Sequence, residues 1–192
     1  MNWTKDTMFS IRKNTKNYFN PMKVINLIGG PGTGKSVTAA SLFARMKREG
    51  INCEYVTEFA KDLVWGERFP EMKDQIYIFG KGYHKLWKLD GKVDYAILDS
   101  PLILSLYFGQ NKTELFKQFV LETFNSFNNY NFVLTRNFKY QVEGRVETEE
   151  QADFAHDSII KLLDDNNIKY YTVPNSDEFS REDWIENVLK NN

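Results

Sequence analysis

Residues Gly29 to Ser36 read Gly-Gly-Pro-Gly-Thr-Gly-Lys-Ser and follow directly on the largely apolar run Val24-Ile25-Asn26-Leu27-Ile28. This is G-x-x-x-x-G-K-[ST] at the end of a predicted strand, the context in which the motif cradles phosphate. Gly29, Gly30, Gly32 and Gly34 let the backbone around Pro31 and Thr33 curl, so that successive N–H groups face an anion. Lys35 can reach the β- and γ-phosphates of a nucleoside triphosphate, and the Ser36 hydroxyl can bind Mg²⁺. The helix opening at Lys35, Ser36 and Val37 adds the positive end of its dipole. The motif leaves open where the γ-phosphate goes: to water, as in an ATPase or switch, or to an acceptor, as in a kinase.

The elements that must hold this loop alternate along the chain. Short, mostly apolar segments at 23–28, 52–56, 94–98, 131–135 and 168–173 read as strands covered on both faces. Helical patterns fall between them. One spans 35–49, stopping at Gly50 after Lys47 and Arg48. The pattern over 70–90 sets Met72, Ile76, Phe79, Tyr83 and Leu86 on one stripe. Others cover 112–127, a segment from Thr148 to about Asn166 that opens on a Thr148/Gln151 capping box, and 181–190. Alternation of this kind predicts an α/β fold, a P-loop NTPase with a five-stranded parallel sheet between helices, and ligands at the carboxyl ends of its strands.

That rule turns the strand ends into candidate site residues. Glu58 follows the second strand, where a carboxylate can hold an acceptor hydroxyl in line or take its proton; it also suits a helix start behind Thr57. Asp62, one turn on, is a weaker candidate for metal or substrate. Asp99 ends the third apolar run, as a Walker-B acid does, and pairs with Ser36 as a candidate Mg²⁺ site. After the fourth strand come Arg136 and Arg145, flanking a loop suited to a short lid whose arginines stabilise transferring charge and exclude water. The loop Val173-Pro174-Asn175-Ser176-Asp177 passes near the nucleotide base on topology alone.

Composition bounds the rest. The chain has 192 residues, 42% hydrophobic, with 15 Phe, which predicts one domain with a real core. We read residues 1–21 as an extension, either a short docked helix or an upstream start, and 22–192 as the kinase domain. A formal charge of −1 argues against a large basic surface for nucleic acid. Cys53 is the single cysteine, so no intrachain disulfide forms, and His84 and His156 stand far apart. The chain has no signal-peptide pattern and no apolar run near the about 20 residues of a membrane span, so we expect a cytoplasmic protein with no membrane partner.

Across about 22–173 the chain resembles small P-loop kinases grouped around the nicotinamide riboside kinase domain of bacterial NAD regulators. It also resembles phage-encoded proteins described as AAA-family ATPases or nucleotide-kinase-like. The resemblance rests on GGPGTGKS (29–36), VTEFAKDLVW (56–65), DQIYIFGKGYHKLWKL (74–89), LDSPLILSLYFG (98–109) and GRVETEEQA (144–152). It implies ATP and Mg²⁺ as cofactors, a small-molecule hydroxyl acceptor beside Glu58, and an acceptor pocket along the 70–90 helix. Gln75 would then hydrogen-bond a base, with Phe79 or Tyr83 stacking on it. Asp99-Ser100-Pro101 departs from the Glu-Arg-Ser of deoxynucleoside kinases. The leading expectation is γ-phosphate transfer to a hydroxyl or phosphate of a nucleoside, nucleotide or related ribosyl compound. The alternatives are a phage DNA kinase acting on hydroxymethylated pyrimidine and a P-loop ATPase without an acceptor. Lys81, Lys85, Lys88 and Lys92 recur at helical spacing, as either a solvated face or a phosphate-contact strip.

Overall fold

β1 (Lys23–Ile28) is buried from Val24 onward, so both its faces are covered and it takes the centre of the sheet. The computed structural model describes residues 21–109, 113–136, 140, 148–175 and 180–191. After β1 come α1 (Lys35–Arg48), β2 (Cys53–Val56), α2 (Phe59–Trp65), α3 (Phe69–Met72) and α4 (Gln75–Trp87). β3 (Tyr95–Leu98) leads through a 3₁₀ turn (Leu102–Leu104) into α5 (Ser105–Phe108) and α6 (Glu114–Asn125). β4 (Asn128–Leu134), α7 (Glu149–Asp165), β5 (Tyr171–Val173) and α8 (Arg181–Lys190) follow. The five strands are parallel in the order β2-β3-β1-β4-β5. The predicted P-loop NTPase architecture is the observed one.

Alternate β1 side chains feed two cores. Val24 and Ile28 pack with Phe79 and Leu86 of α4, Val120 and Phe124 of α6, and Ile159 and Leu163 of α7. Ile25 and Leu27 pack on the opposite face with Leu42 and Met46 of α1 and Ile185 and Leu189 of α8. Asn26 interrupts the first face at 1% exposure. Its Nδ2 donates to Asn129 Oδ1 and Asn131 Oδ1, both at 2.9 Å, and Asn131 Nδ2 donates onward to the Lys169 carbonyl at 2.8 Å. The buried amides are thus satisfied by one another and by backbone.

Two expectations are corrected. The 70–90 segment is two helices, because Asp74 accepts the Tyr77 N–H and starts α4 afresh, which leaves Met72 on α3. The inward stripe of α4 is then Gln75, Phe79 and Leu86, while Ile76 is 59% exposed. β4 also begins earlier than expected, at Asn128, because the Asn129 and Asn131 amides find buried partners that a polar sequence does not advertise. The Thr148/Gln151 capping box forms as read.

Candidate active site

The chain leaves β1 and curls through 29–34 into α1. Gly34 sits in the left-handed region at φ 87°, which lets the loop turn directly into the helix. No side chain caps the start of α1 and its first turn carries no acid, so its leading N–H groups suit an anionic ligand. Lys35 Nζ arches back over the loop, donating to the Gly29 carbonyl at 2.8 Å and the Gly30 carbonyl at 2.9 Å.

The back of the loop is braced by two distant elements. Gly30 abuts α7 so closely that a Cβ there would lie 2.5 Å from the Ala152 carbonyl and 2.9 Å from His156 Cβ. The Gly30 N–H donates to His156 Nδ1 at 3.2 Å. Burial, with the Lys35 and Arg136 charges, pulls the His156 imidazole below its usual range and so favours the neutral form that can accept this bond. From α8, Arg181 spreads its guanidinium across the Thr33 and Thr135 carbonyls, both at 2.6 Å. Holding the Thr33 carbonyl outward turns the other end of that trans peptide, the Gly34 N–H, the opposite way. Asn175, in the loop after β5, donates to Thr135 Oγ1 at 2.9 Å and accepts from Arg181 at 3.3 Å.

Asp99 stands one residue past β3, which lies beside β1 in the register Asn26 to Leu98. Its carboxylate is buried. Oδ2 accepts the Tyr55 hydroxyl at 2.6 Å, while Oδ1 is buried with no hydrogen-bond partner. Tyr55 is held above the usual phenol range by burial, then by its hydrogen bond to Asp99; the Ser36 hydroxyl opposes this and the Glu58 charge adds to it. Ser36, Tyr55, Asp99 and Glu58 therefore converge on one spot. No group of three or more His, Cys, Asp or Glu side chains forms a metal site among the described residues. A cation here would take Ser36 and Asp99 together with oxygens of a nucleotide, and the orphaned Asp99 Oδ1 fits such a cation.

From this spot a cleft of about 640 Å³ runs outward between α2 and α5. Its phosphate end is lined by Gly29, Pro31, Gly32, Gly34, Lys35, Ser36 and Val37; Gly30 and Thr33 support the wall from behind, Thr33 Oγ1 donating to the Gly30 carbonyl at 3.0 Å. Glu58 is the N-cap residue of α2, yet its side chain makes no capping hydrogen bond, and it lines the cleft. Beyond it come Phe59, Trp65, Phe79 and Phe108, with Gln75 among them. Gln75 is 8% exposed and its Nε2 donates to the Met72 carbonyl at 2.9 Å. Phe79 is both core and wall, at ring distances of 6.1 Å from Phe116 and 5.4 Å from Phe119.

Other candidates fall elsewhere. Asp62 is exposed and lies off the cleft. Arg136 also lies off it, paired with Asp153 and with Glu149 at 3.3 Å, its guanidinium 5.2 Å over the Tyr140 ring. Arg145 and the rest of the proposed lid, 137–139 and 141–147, lie outside the described residues. Within the lysine series, Lys85 donates to the Thr57 carbonyl at 2.8 Å and Lys81 sits 5.7 Å over Phe59 and 5.4 Å over Tyr77, so these two serve the protein itself. Sequence reasoning missed Tyr55, His156 and Arg181. For His156 a signal existed: it lies four residues after Ala152, on the same face of the capped helix.

Comparison with known proteins agrees with this geometry. No curated protein sequence matches the chain. The fold is similar to NadR protein in complex with NR, at 19% identity and a TM-score of 0.64 over 88% of this chain and 51% of that one. It is similar to NadR in complex with NAD and AMP-PNP, at 18% identity and a TM-score of 0.60 over 88% and 49%. The chain thus spans about half the length of those NadR chains. Deoxyadenosine kinase from M. mycoides is similar at 16% identity and a TM-score of 0.51, over 88% of this chain and 97% of that one. At these identities the likeness establishes a P-loop kinase-like fold. The family model described as "AAA domain" matches residues 24–181, which takes in the phosphate loop, Asp99 and the Arg181 brace, and the chain belongs to that family.

Proposed function

We propose that the protein is an ATP-dependent phosphotransferase that moves the γ-phosphate to a hydroxyl of a nucleoside, nucleotide or related ribosyl compound. The observation that carries this reading is the continuity of the cleft. One cavity of about 640 Å³ is lined by the phosphate loop, by Glu58, and by Phe59, Trp65, Phe79 and Phe108. An ATPase needs room for a water beside the γ-phosphate; this cavity offers room for a ring-bearing molecule.

In this reading the loop amides and Lys35 would hold the phosphates, Ser36 and Asp99 would hold Mg²⁺, and Tyr55 orients Asp99. Bound there, Mg²⁺ would neutralise charge on the β- and γ-oxygens. Glu58 aligns the acceptor hydroxyl and receives its proton as that oxygen bonds to the γ-phosphorus. The bond from the γ-phosphorus to the β–γ bridging oxygen breaks, and ADP leaves. Gln75 and Phe79 would contact the acceptor ring. Arg136 would act on the transferring group only once released from Asp153 and Glu149, and Arg145 is proposed for the same role. The likeness to NadR and deoxyadenosine kinase supports a phosphotransferase of this general class.

The test is transfer from γ-labelled ATP to a panel of nucleosides, nucleoside monophosphates and hydroxymethylated DNA. Lys35→Ala should abolish transfer. Glu58→Gln should lower turnover about 100-fold while keeping ATP affinity within about threefold. ATP turnover indifferent to every acceptor, or a fully active Glu58→Gln enzyme, would sink the proposal.

A further inference from the structure

The outer end of the cleft carries more positive charge than the proposed chemistry uses. Lys61 on α2 and Lys73, between α3 and α4, both line it. Neither ammonium makes a hydrogen bond or ion pair with any described residue, in contrast to Lys81 and Lys85 close by. Of the acids nearby in sequence, Glu71 and Asp74 are committed elsewhere. Glu71 is paired with Arg68 at 2.9 Å, Asp74 caps α4, and Asp62 lies off the cleft. Glu58 and Asp99 are the carboxylates lining this cavity, and both belong to the inner, phosphate-proximal end.

The surroundings sharpen what such charges would bind. The same cavity is lined by Phe59, Trp65, Phe79 and Phe108, a set suited to a planar ring, and by Gln75. Two ammonium groups on the lining of one cavity supply charge-assisted donors suited to a dianion. A neutral nucleoside would leave both charges idle. We propose that the acceptor end takes a nucleoside monophosphate, with its phosphate held by Lys61 and Lys73 and its ring among the aromatic side chains. This inference rests on the reading of that end as the acceptor subsite.

The test is calorimetric titration of the whole protein, its phosphate loop saturated with Mg²⁺ and a non-hydrolysable ATP analogue. The eight common ribo- and deoxyribonucleoside 5′-monophosphates are compared with their parent nucleosides. At least one monophosphate should bind about tenfold or more tightly than its nucleoside. Lys61→Ala/Lys73→Ala should reduce that preference to within about threefold, and Lys61→Arg/Lys73→Arg should retain it. Both lysines are exposed, so thermal unfolding of the variants should match the parent protein. Equal binding of nucleoside and monophosphate, a preference that survives in the alanine variant, or no binding by any member of the panel would overturn the inference. Transfer to a neutral nucleoside with no preference for monophosphates would defeat it while leaving the phosphotransferase reading intact. Turnover of ATP that ignores all acceptors would defeat the phosphotransferase reading.

Discussion

Two glycine-to-alanine changes should move stability in opposite directions, and the distances say by how much. At Gly30 the added methyl would meet the Ala152 carbonyl at 2.5 Å, against an ordinary contact beginning near 3.4 Å. Relief requires the phosphate loop and α7 to part by about 0.9 Å, the difference between those two distances. Both sides are backbone, so neither yields by a rotamer change. Overpacking of this kind costs about 1–3 kcal/mol, and weakening the Gly30–His156 hydrogen bond adds about 1 kcal/mol. Gly30→Ala should therefore destabilise by about 3 kcal/mol and weaken ATP binding at least about tenfold. Gly80 is the counterpart: it lies mid-helix in α4 and a Cβ there meets nothing within 4 Å. Gly80→Ala should stabilise by up to about 1 kcal/mol through helix propensity alone. Urea unfolding of the two variants beside the parent measures the contrast. If Gly30→Ala fell within about 0.5 kcal/mol of the parent, the tight seat of the loop on α7 would be wrong.

Three further outcomes are expected. Tyr55→Phe removes the hydroxyl that holds Asp99 Oδ2 and should raise the Mg²⁺ concentration for half-maximal ATP turnover about tenfold, read from a metal titration; an unchanged midpoint would detach Tyr55 from the metal site. Arg181→Lys replaces a fork, whose two nitrogens each hold one of the Thr33 and Thr135 carbonyls, by a shorter side chain with a single nitrogen, so ATP affinity measured by calorimetry should fall about tenfold; equal affinity would mean the brace does not shape the loop. His156 is held below the usual imidazole value of about 6.5, so the unfolded chain binds the extra proton first. Its contribution to stability is complete above about pH 6.5 and is lost as pH falls from there toward the folded value. His156→Gln, whose amide oxygen can accept the Gly30 N–H without titrating, should lose that component in unfolding measured between about pH 7 and 5.5, and identical slopes would refute the assignment.

What was legible in the sequence was whatever depends on neighbours along the chain. The glycine-rich turn after an apolar strand, the acid that ends β3 and the capping box at Thr148 each carry their signal within a few residues, and each stands where read. The break at Asp74 hid because Met72, Ile76, Phe79, Tyr83 and Leu86 keep helical spacing straight through it. The restarted helix keeps Phe79 and Leu86 inward but buries Gln75 beside them and leaves Ile76 in water. The braces were invisible for a different reason. His156 and Arg181 lie 126 and 148 residues from the loop atoms they hold. No periodicity reports a pairing of that range; only the strand order, which sets β4 beside β1 and β5 beside β4, brings them in. Tyr55 looked like an ordinary strand residue, because its partner Asp99 lies just past the end of the neighbouring β3 rather than along β2.

The buried amide ladder has a consequence for the height of the phosphate loop. Asn26 lies three residues before Gly29, and Asn131 lies three before Leu134, whose carbonyl would stand 2.6 Å from a Cβ on Gly29. Sliding one strand past the other by a single residue displaces it by about 3.3 Å and strands the amides on faces where nothing meets them. A greasy side chain at Asn26 would tolerate such a slide; an amide does not. The ladder thus works as an index mark cut into the core: it sets how far the loop rises above the sheet, and so whether Lys35 and Asp99 stand level with the same phosphate.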